Sequence, residues 1–94
     1  EPHGWNNSMW LWEFHVAGTH RRQGLARQLM DALIAKAKGA GMRIIVWETQ
    51  TTNVPAIRAA RRLGFRLESV DISYYTNADY PDGEMAVFMK RRLT

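Results

Sequence analysis

The residues best suited to chemistry lie together between positions 20 and 27, where the chain reads HRRQGLAR between an apolar segment and an amphipathic one. A helix that begins here presents unpaired backbone N–H groups and the positive end of its dipole, and both attract an anion. Gly24 removes a Cβ where a ligand would press, Ala26 keeps the next inward position small, and Arg21, Arg22 and Arg27 add positive charge. These are the parts of a phosphate nest. Two other phosphate loops are excluded, because neither G-x-x-x-x-G-K-[ST] nor G-x-G-x-x-G occurs. The pattern that remains, R-x-x-G-x-A, also fits a helix start whose glycine is purely structural.

Such a nest needs a strand before it and a helix after it. Met9 to Val16 is rich in aromatic and β-branched residues and too short for a helix, which predicts a buried strand. After the break at Ala17-Gly18-Thr19, Leu25, Leu29, Leu33 and Ala37 recur at every fourth position, which predicts an amphipathic helix with these residues inward and a stop near Gly39 or Gly41. Arg43 to Thr49 predicts a second strand, and its apolar centre implies cover on both faces by flanking helices. Asn53 is placed to cap a second helix, with Pro55 in its first turn and Gly64 as its stop. Phe65 to Ile72 and Glu84 to Lys90 predict an antiparallel hairpin joined through Asn77, Pro81, Asp82 and Gly83. The expected order is β-α-β-α-β-β, a single α/β domain over residues 1–94 with a parallel strand pair, preceded by an irregular stretch from 1 to 8.

Composition narrows the function. With 94 residues, 46% of them hydrophobic and 23% charged, the chain has room for one small domain. The absence of cysteine excludes a disulfide framework, a thiolate zinc site and a cysteine nucleophile. His3, His15 and His20 form no ligand spacing with a carboxylate cluster, so no metal is expected. No apolar run approaches the ~20 residues of a membrane span. Glu1-Pro2-His3-Gly4 does not open a signal peptide, and the expectation is a cytoplasmic protein without a membrane partner. A net charge of +4 and a pI near 10.0 favour an acidic ligand, either a phosphorylated cofactor or nucleic acid. Arg58, Arg61 and Arg62 fit either such a ligand or a solvated helix face, while Lys90, Arg91 and Arg92 read as a solvated basic tail.

From Phe14 onward the order of the pieces resembles the GNAT superfamily of N-acetyltransferases: a strand ending in Val16, Arg21-Arg22-Gln23-Gly24-Leu25-Ala26, a helix, a strand ending in Glu48, then Asn53-x-x-Ala56 and Leu63-Gly64-Phe65. Two ordered motifs with the right helix and strand between them are more specific than either alone. Glu48-Thr49-Gln50, Val70-Asp71, Tyr75-Thr76-Asn77 and Glu84-Met85-Ala86-Val87-Phe88 are similar to segments of the streptothricin acetyltransferase-like members. The resemblance implies a GNAT-like mixed sheet and transfer of acetyl from acetyl-CoA to a primary amine of a small molecule, a basic antibiotic being one such acceptor.

The resemblance also implies roles. The backbone of Phe14, His15 and Val16 would run along the pantetheine arm, and the loop amides from Arg22 through Gln23, Gly24, Leu25 and Ala26 to Arg27 would receive the pyrophosphate, with Arg21 beside them. Asn53 would reach the cofactor near its acetyl end. Phe14 and Val16 equally fit core positions, and Asn53 a helix cap. Attack of an amine on a thioester needs a base for the ammonium and a donor for the thiolate. Glu48 matches the position of the catalytic glutamate in some members and equally fits a strand-end carboxylate paired with an arginine, while Glu13 is the rival base. The family's tyrosine seven residues after the asparagine is replaced by Ala60, which leaves Tyr74 or Tyr75 as candidate acid, against a packing role for either. The family's usual strands and helices before Met9 have no counterpart here, so the chain is expected to be a fragment or to complete its site as a homo-oligomer, with Trp10 and Trp12 on an exposed edge strand. Two other readings stay open. One is a catalytically weak, CoA-binding or self-associating module, and the other is a nucleic-acid binder, disfavoured because the arginines fall where cofactor phosphates would need them.

Overall fold

The computed structural model describes residues 2–3, 6–11 and 23–94. Among these residues the elements are β1 (Pro2–His3), β2 (Ser8–Leu11), α1 (Gln23–Gly39), β3 (Ile44–Gln50), α2 (Val54–Arg62), β4 (Arg66–Asp71) and β5 (Ala86–Arg92). They build one mixed sheet in the order β1-β2-β3-β5-β4. β2 and β3 run parallel, as a strand-helix-strand unit requires, and β5 lies antiparallel between β3 and β4. No helix of the described residues is long and apolar enough to cross a membrane.

The start of the chain differs from expectation. Residues 1–8 contain β1, which pairs with β2 through Pro2–Met9 and His3–Ser8, so the edge expected to lie open is covered where the strand begins. β2 starts one residue early, at Ser8, and positions 12–16 of the predicted strand lie outside the described residues. Asn7 takes a positive φ of 53° in the turn before β2, a conformation asparagine tolerates better than most residues. Arg43 fastens this turn from the far side: its amide donates to the Asn7 carbonyl and its Nε to the Asn6 carbonyl, both at 2.8 Å.

α1 ends at Gly39, close to where the glycines predicted, and Gly41 then adopts a φ of 78°. Its buried stripe matches the predicted one at Leu33 and Ala37 and departs from it at Leu25 and Leu29. Met30, Ile34 and Ala37 are buried, whereas Leu25 and Leu29 are 45% and 48% exposed. The reason is geometric: a step of four residues overshoots one turn by about 40°, so a line drawn through every fourth residue winds off the buried face within three steps. Leu33, Ile34 and Ala37 stay on that face because they mix spacings of three and four.

Both helices pack on the same side of the sheet. Met30, Ile34 and Ala37 of α1 meet Ala60 and Leu63 of the α2 region over Ile45, Trp47 and Met89, and Phe65 closes the cluster with its ring edge-on to Trp47 at 5.5 Å. The other face carries a smaller cluster of Ile44, Val46, Ala86 and Phe88, with Trp10 edge-on to Phe88 at 5.6 Å. β3 is therefore apolar on both faces, as its sequence predicts, but among the described residues the second face is covered by aromatic rings and a loop rather than by a helix.

α2 follows its sequence signals. The Asn53 side chain accepts from the Ala56 amide at 3.3 Å, proline stands in the first turn, and Gly64 leaves the helix with φ 91°. The expected basic tail is instead the end of β5. Arg91 donates to the Leu63 carbonyl at 2.6 Å and Arg92 pairs with Glu68 at 3.2 Å. A guanidinium is drawn to the negative, carbonyl-bearing end of α2, and β5 delivers it there.

Candidate active site

Side chains alternate along β3, so that Ile45, Trp47 and Thr49 face the helices while Ile44, Val46 and Glu48 face the other way. Glu48 is half-buried on that second face, directly across from Phe88 of β5. The phenol of Tyr75, 27 residues away in sequence, donates to Glu48 Oε2 at 2.8 Å. The fold thus brings together two residues singled out from sequence for proton transfer. Among the described residues the partner it gives Glu48 is a phenol rather than an arginine. Tyr74 packs edge-on to both Tyr75 and Phe88, at 5.3 and 5.5 Å. Partial burial, the hydrogen bond to Glu48 and the negative charge around it, with Tyr74 and Glu84 nearby, hold the Tyr75 phenol protonated well above the ordinary tyrosine value of 10.0. Burial, Glu48 and Asp71 push Tyr74 in the same direction.

Sequence reasoning passed over Asp79. It is 3% exposed, and its carboxylate accepts from the Tyr75 and Thr76 amides, both at 2.8 Å, and from Thr76 Oγ1 at 2.7 Å. Burial alone would raise its pKa, but the hydrogen bonds from Thr76 and from the Tyr75 and Thr76 amides outweigh that and hold the carboxyl below its ordinary 3.8. The sequence signal was there: an aspartate following Thr76-Asn77 in a turn-forming stretch is a standard acceptor for turn amides.

The predicted cofactor side is partly described. Phe14, His15, Val16, Arg21, Arg22 and the rival base Glu13 lie outside the described residues; Gln23 begins α1. Among the described residues nothing lies within 4 Å of where a Cβ would stand on Gly24, and the first turn of α1 carries no acidic residue to oppose an anion. Ala26 is half-buried and Leu25 exposed. The guanidinium of Arg27 donates to the Arg62 carbonyl at 2.9 Å, at the end of α2. Asn53 is exposed while capping α2. The parallel pairing of β2 with β3 runs to Leu11–Trp47, and Glu48, Thr49 and Gln50 continue the ladder with β5. Ala60 is fully buried in the core, and its methyl offers no proton in place of the family's tyrosine. Among the described residues no cluster of histidine and carboxylate could hold a metal ion.

Residues 2–65 match the acetyltransferase (GNAT) family. The chain belongs to the GNAT acetyltransferases. It is 36% identical over 88 residues to streptothricin acetyltransferase from Streptomyces lavendulae, an alignment covering 90% of this chain and 44% of that protein. The crystal structure of nourseothricin acetyltransferase superposes with a TM-score of 0.83 at 33% identity, over 99% of this chain and 54% of the other. A candidate streptothricin acetyltransferase from Bacillus anthracis, solved in complex with acetyl coenzyme A, gives a TM-score of 0.80 at 26% identity, over 95% of this chain and 51% of the other. This GNAT chain spans about half the length of the curated relatives it matches.

Proposed function

We propose that this GNAT chain serves transfer of the acetyl group from acetyl-CoA to a primary amine of a small molecule, with a basic antibiotic of the streptothricin type as the acceptor class. The observation that carries the reading is the 2.8 Å contact between the Tyr75 phenol and Glu48 at the end of β3. It places a proton acceptor next to a proton donor, which is what aminolysis of a thioester requires. The names of the similar proteins support the acceptor class, and the acetyl-CoA complex of the Bacillus anthracis protein supports the cosubstrate.

In this reading the first-turn amides of α1 and the open approach at Gly24 receive the pyrophosphate, and Asn53 lies toward the acetyl end. Glu48 takes a proton from the amine as its nitrogen bonds to the thioester carbon. The C–S bond then breaks, and the thiolate takes the phenolic proton of Tyr75. Glu48, now protonated, returns a proton to Tyr75, so the pair ends as it began with one amide and one thiol formed. A second copy of the chain is proposed to help close the acceptor pocket, with the reaction taking place in the cytoplasm.

Acetyl-CoA should raise the melting temperature by mass action, because a ligand that binds only the folded state stabilises it. Thiol release with a panel of basic amines should then fall on the order of 100-fold or more in Glu48→Gln. No thermal shift at millimolar acetyl-CoA would sink the reading. Alanine at position 60, where the family's usual acid would stand, favours a CoA-binding module of weak catalysis as the second reading. That reading predicts a thermal shift with no thiol release from any amine.

A further inference from the structure

The Tyr75–Glu48 contact has a mechanical problem. Tyr75 stands in the connection between β4 and β5, outside any strand or helix, and its side chain is 38% exposed. A phenol on such a segment does not keep a 2.8 Å contact unless the backbone beneath it is fixed, because each free residue has to give up conformational entropy to hold one geometry.

We propose that Asp79 is a positioning residue for the Tyr75–Glu48 pair: its buried carboxylate clamps the turn that carries Tyr75 and so holds the phenol against Glu48. The inference rests on the proton-transfer reading of that pair. One carboxylate oxygen accepts from the Tyr75 amide at 2.8 Å, and the other takes both the amide and the hydroxyl of Thr76, at 2.8 and 2.7 Å. Thr76 Oγ1 in turn accepts from the Ala78 amide at 3.1 Å, closing a ring of bonds from 75 to 79. The clamp is itself tied down. The Gly83 amide donates to the Asp79 carbonyl at 2.8 Å, and a Cβ at Gly83 would stand 3.2 Å from that oxygen. A carboxylate suits the place because it is the side chain that accepts on both oxygens and donates on neither. At 3% exposure it is largely withdrawn from solvent, and the three N–H and O–H donors satisfy it.

Asp79→Asn separates positioning from folding. The amide can keep its single oxygen on the two Thr76 donors, but it then turns an NH2 toward the Tyr75 N–H, so the bond lost is the one that fixes Tyr75. The readout is titration of the phenols by tyrosinate absorbance in the 94-residue chain, which requires no turnover. Among the described residues the groups facing Tyr75 are Glu48, Tyr74 and Glu84. In the wild type a phenol that Tyr75→Phe removes should titrate well above 10.0, and in Asp79→Asn it should move back toward 10.0. With an amine acceptor, kcat should fall about 10- to 100-fold while KM for acetyl-CoA stays within about twofold. If Asp79→Asn does not melt cooperatively, Thr76→Ala, which removes one donor and keeps the charge, is read in the same way. A high-titrating Tyr75 that survives in Asp79→Asn, or in Thr76→Ala where Asp79→Asn does not fold, overturns the clamp. Full activity in Tyr75→Phe would instead overturn the proton-transfer reading beneath it, and the two failures are distinct.

Discussion

Asn53 shows how one side chain can serve two ends. Its Oδ1 caps α2 through the Ala56 amide, and in the proposed reading the same side chain lies toward the acetyl end of the cofactor. The two roles separate by substitution: Asn53→Ser keeps a capping oxygen, whereas Asn53→Ala loses it at a cost of about 1 kcal/mol. A cofactor role predicts weaker acetyl-CoA binding in both variants, measured by calorimetry, with a stability loss in Ala alone. The titrating groups give a second residue-scale expectation. Asp79 has a folded value held below 3.8, so the stability it contributes is present above pH 3.8 and is lost as pH falls through the folded value. Tyr75 has a folded value raised above 10.0, so its contribution is full below pH 10.0 and is lost as pH rises toward the folded value. Plots of melting temperature against pH should flatten on the acid side in Asp79→Asn and on the alkaline side in Tyr75→Phe.

At the scale of elements, the sequence was most legible where a residue's local chemistry decides its place. Asn53, Pro55 and Gly64 bound α2 as their types predict, because a cap, a missing N–H and a positive φ act within a few residues. The face of α1 was misread for the opposite reason: what makes Met30 and Ile34 core residues is the sheet beneath them, and a count of every fourth leucine does not contain the sheet. Leu29→Glu should therefore change stability by less than about 0.5 kcal/mol, whereas Met30→Ala should cost about 2–5 kcal/mol. A pair of urea melts decides the matter. The basic cluster of β5 was likewise hidden, since its partner, the carbonyl end of α2, lies 28 residues away in sequence. The Glu48–Tyr75 pair was half legible. Each residue could be nominated by type, but only the return of the 75–79 turn over β3 sets their distance. Arg66 stands directly opposite Lys90 across β4 and β5. Like charges so placed repel, and Arg66→Glu should stabilise the protein by roughly 0.2–1 kcal/mol in low salt, with the gain fading as salt is added.

The described residues of the molecule form a single sheet with unequal covers, and this decides where it breaks. On the helix face, Phe65 is 2% exposed and locks its ring against Trp47, while Met30, Ile45 and Met89 around it are fully buried. On the other face the aromatic contacts of Phe88 with Trp10 and Tyr74 cover the strands and at the same time form the floor beside Glu48. The first face is devoted to stability and the second shares its residues with the site. Phe65→Ala removes a buried ring from the core and should cost about 3–5 kcal/mol. In a chain of this size each kcal/mol lowers the melting temperature by roughly 4–8 °C. The variant should thus melt at least about 12 °C below the wild type, if it folds at all, because natural domains of this kind hold only about 5–15 kcal/mol in total. Phe88→Leu keeps most of the buried volume and should cost far less, yet it removes the ring against which Tyr74 and Trp10 pack. Its expected signature is a small change in melting temperature together with a displaced Tyr75 titration and reduced thiol release. Equal losses of stability in the two variants would show that both faces serve the core alike, and the division between a stabilising face and a working face would then be wrong.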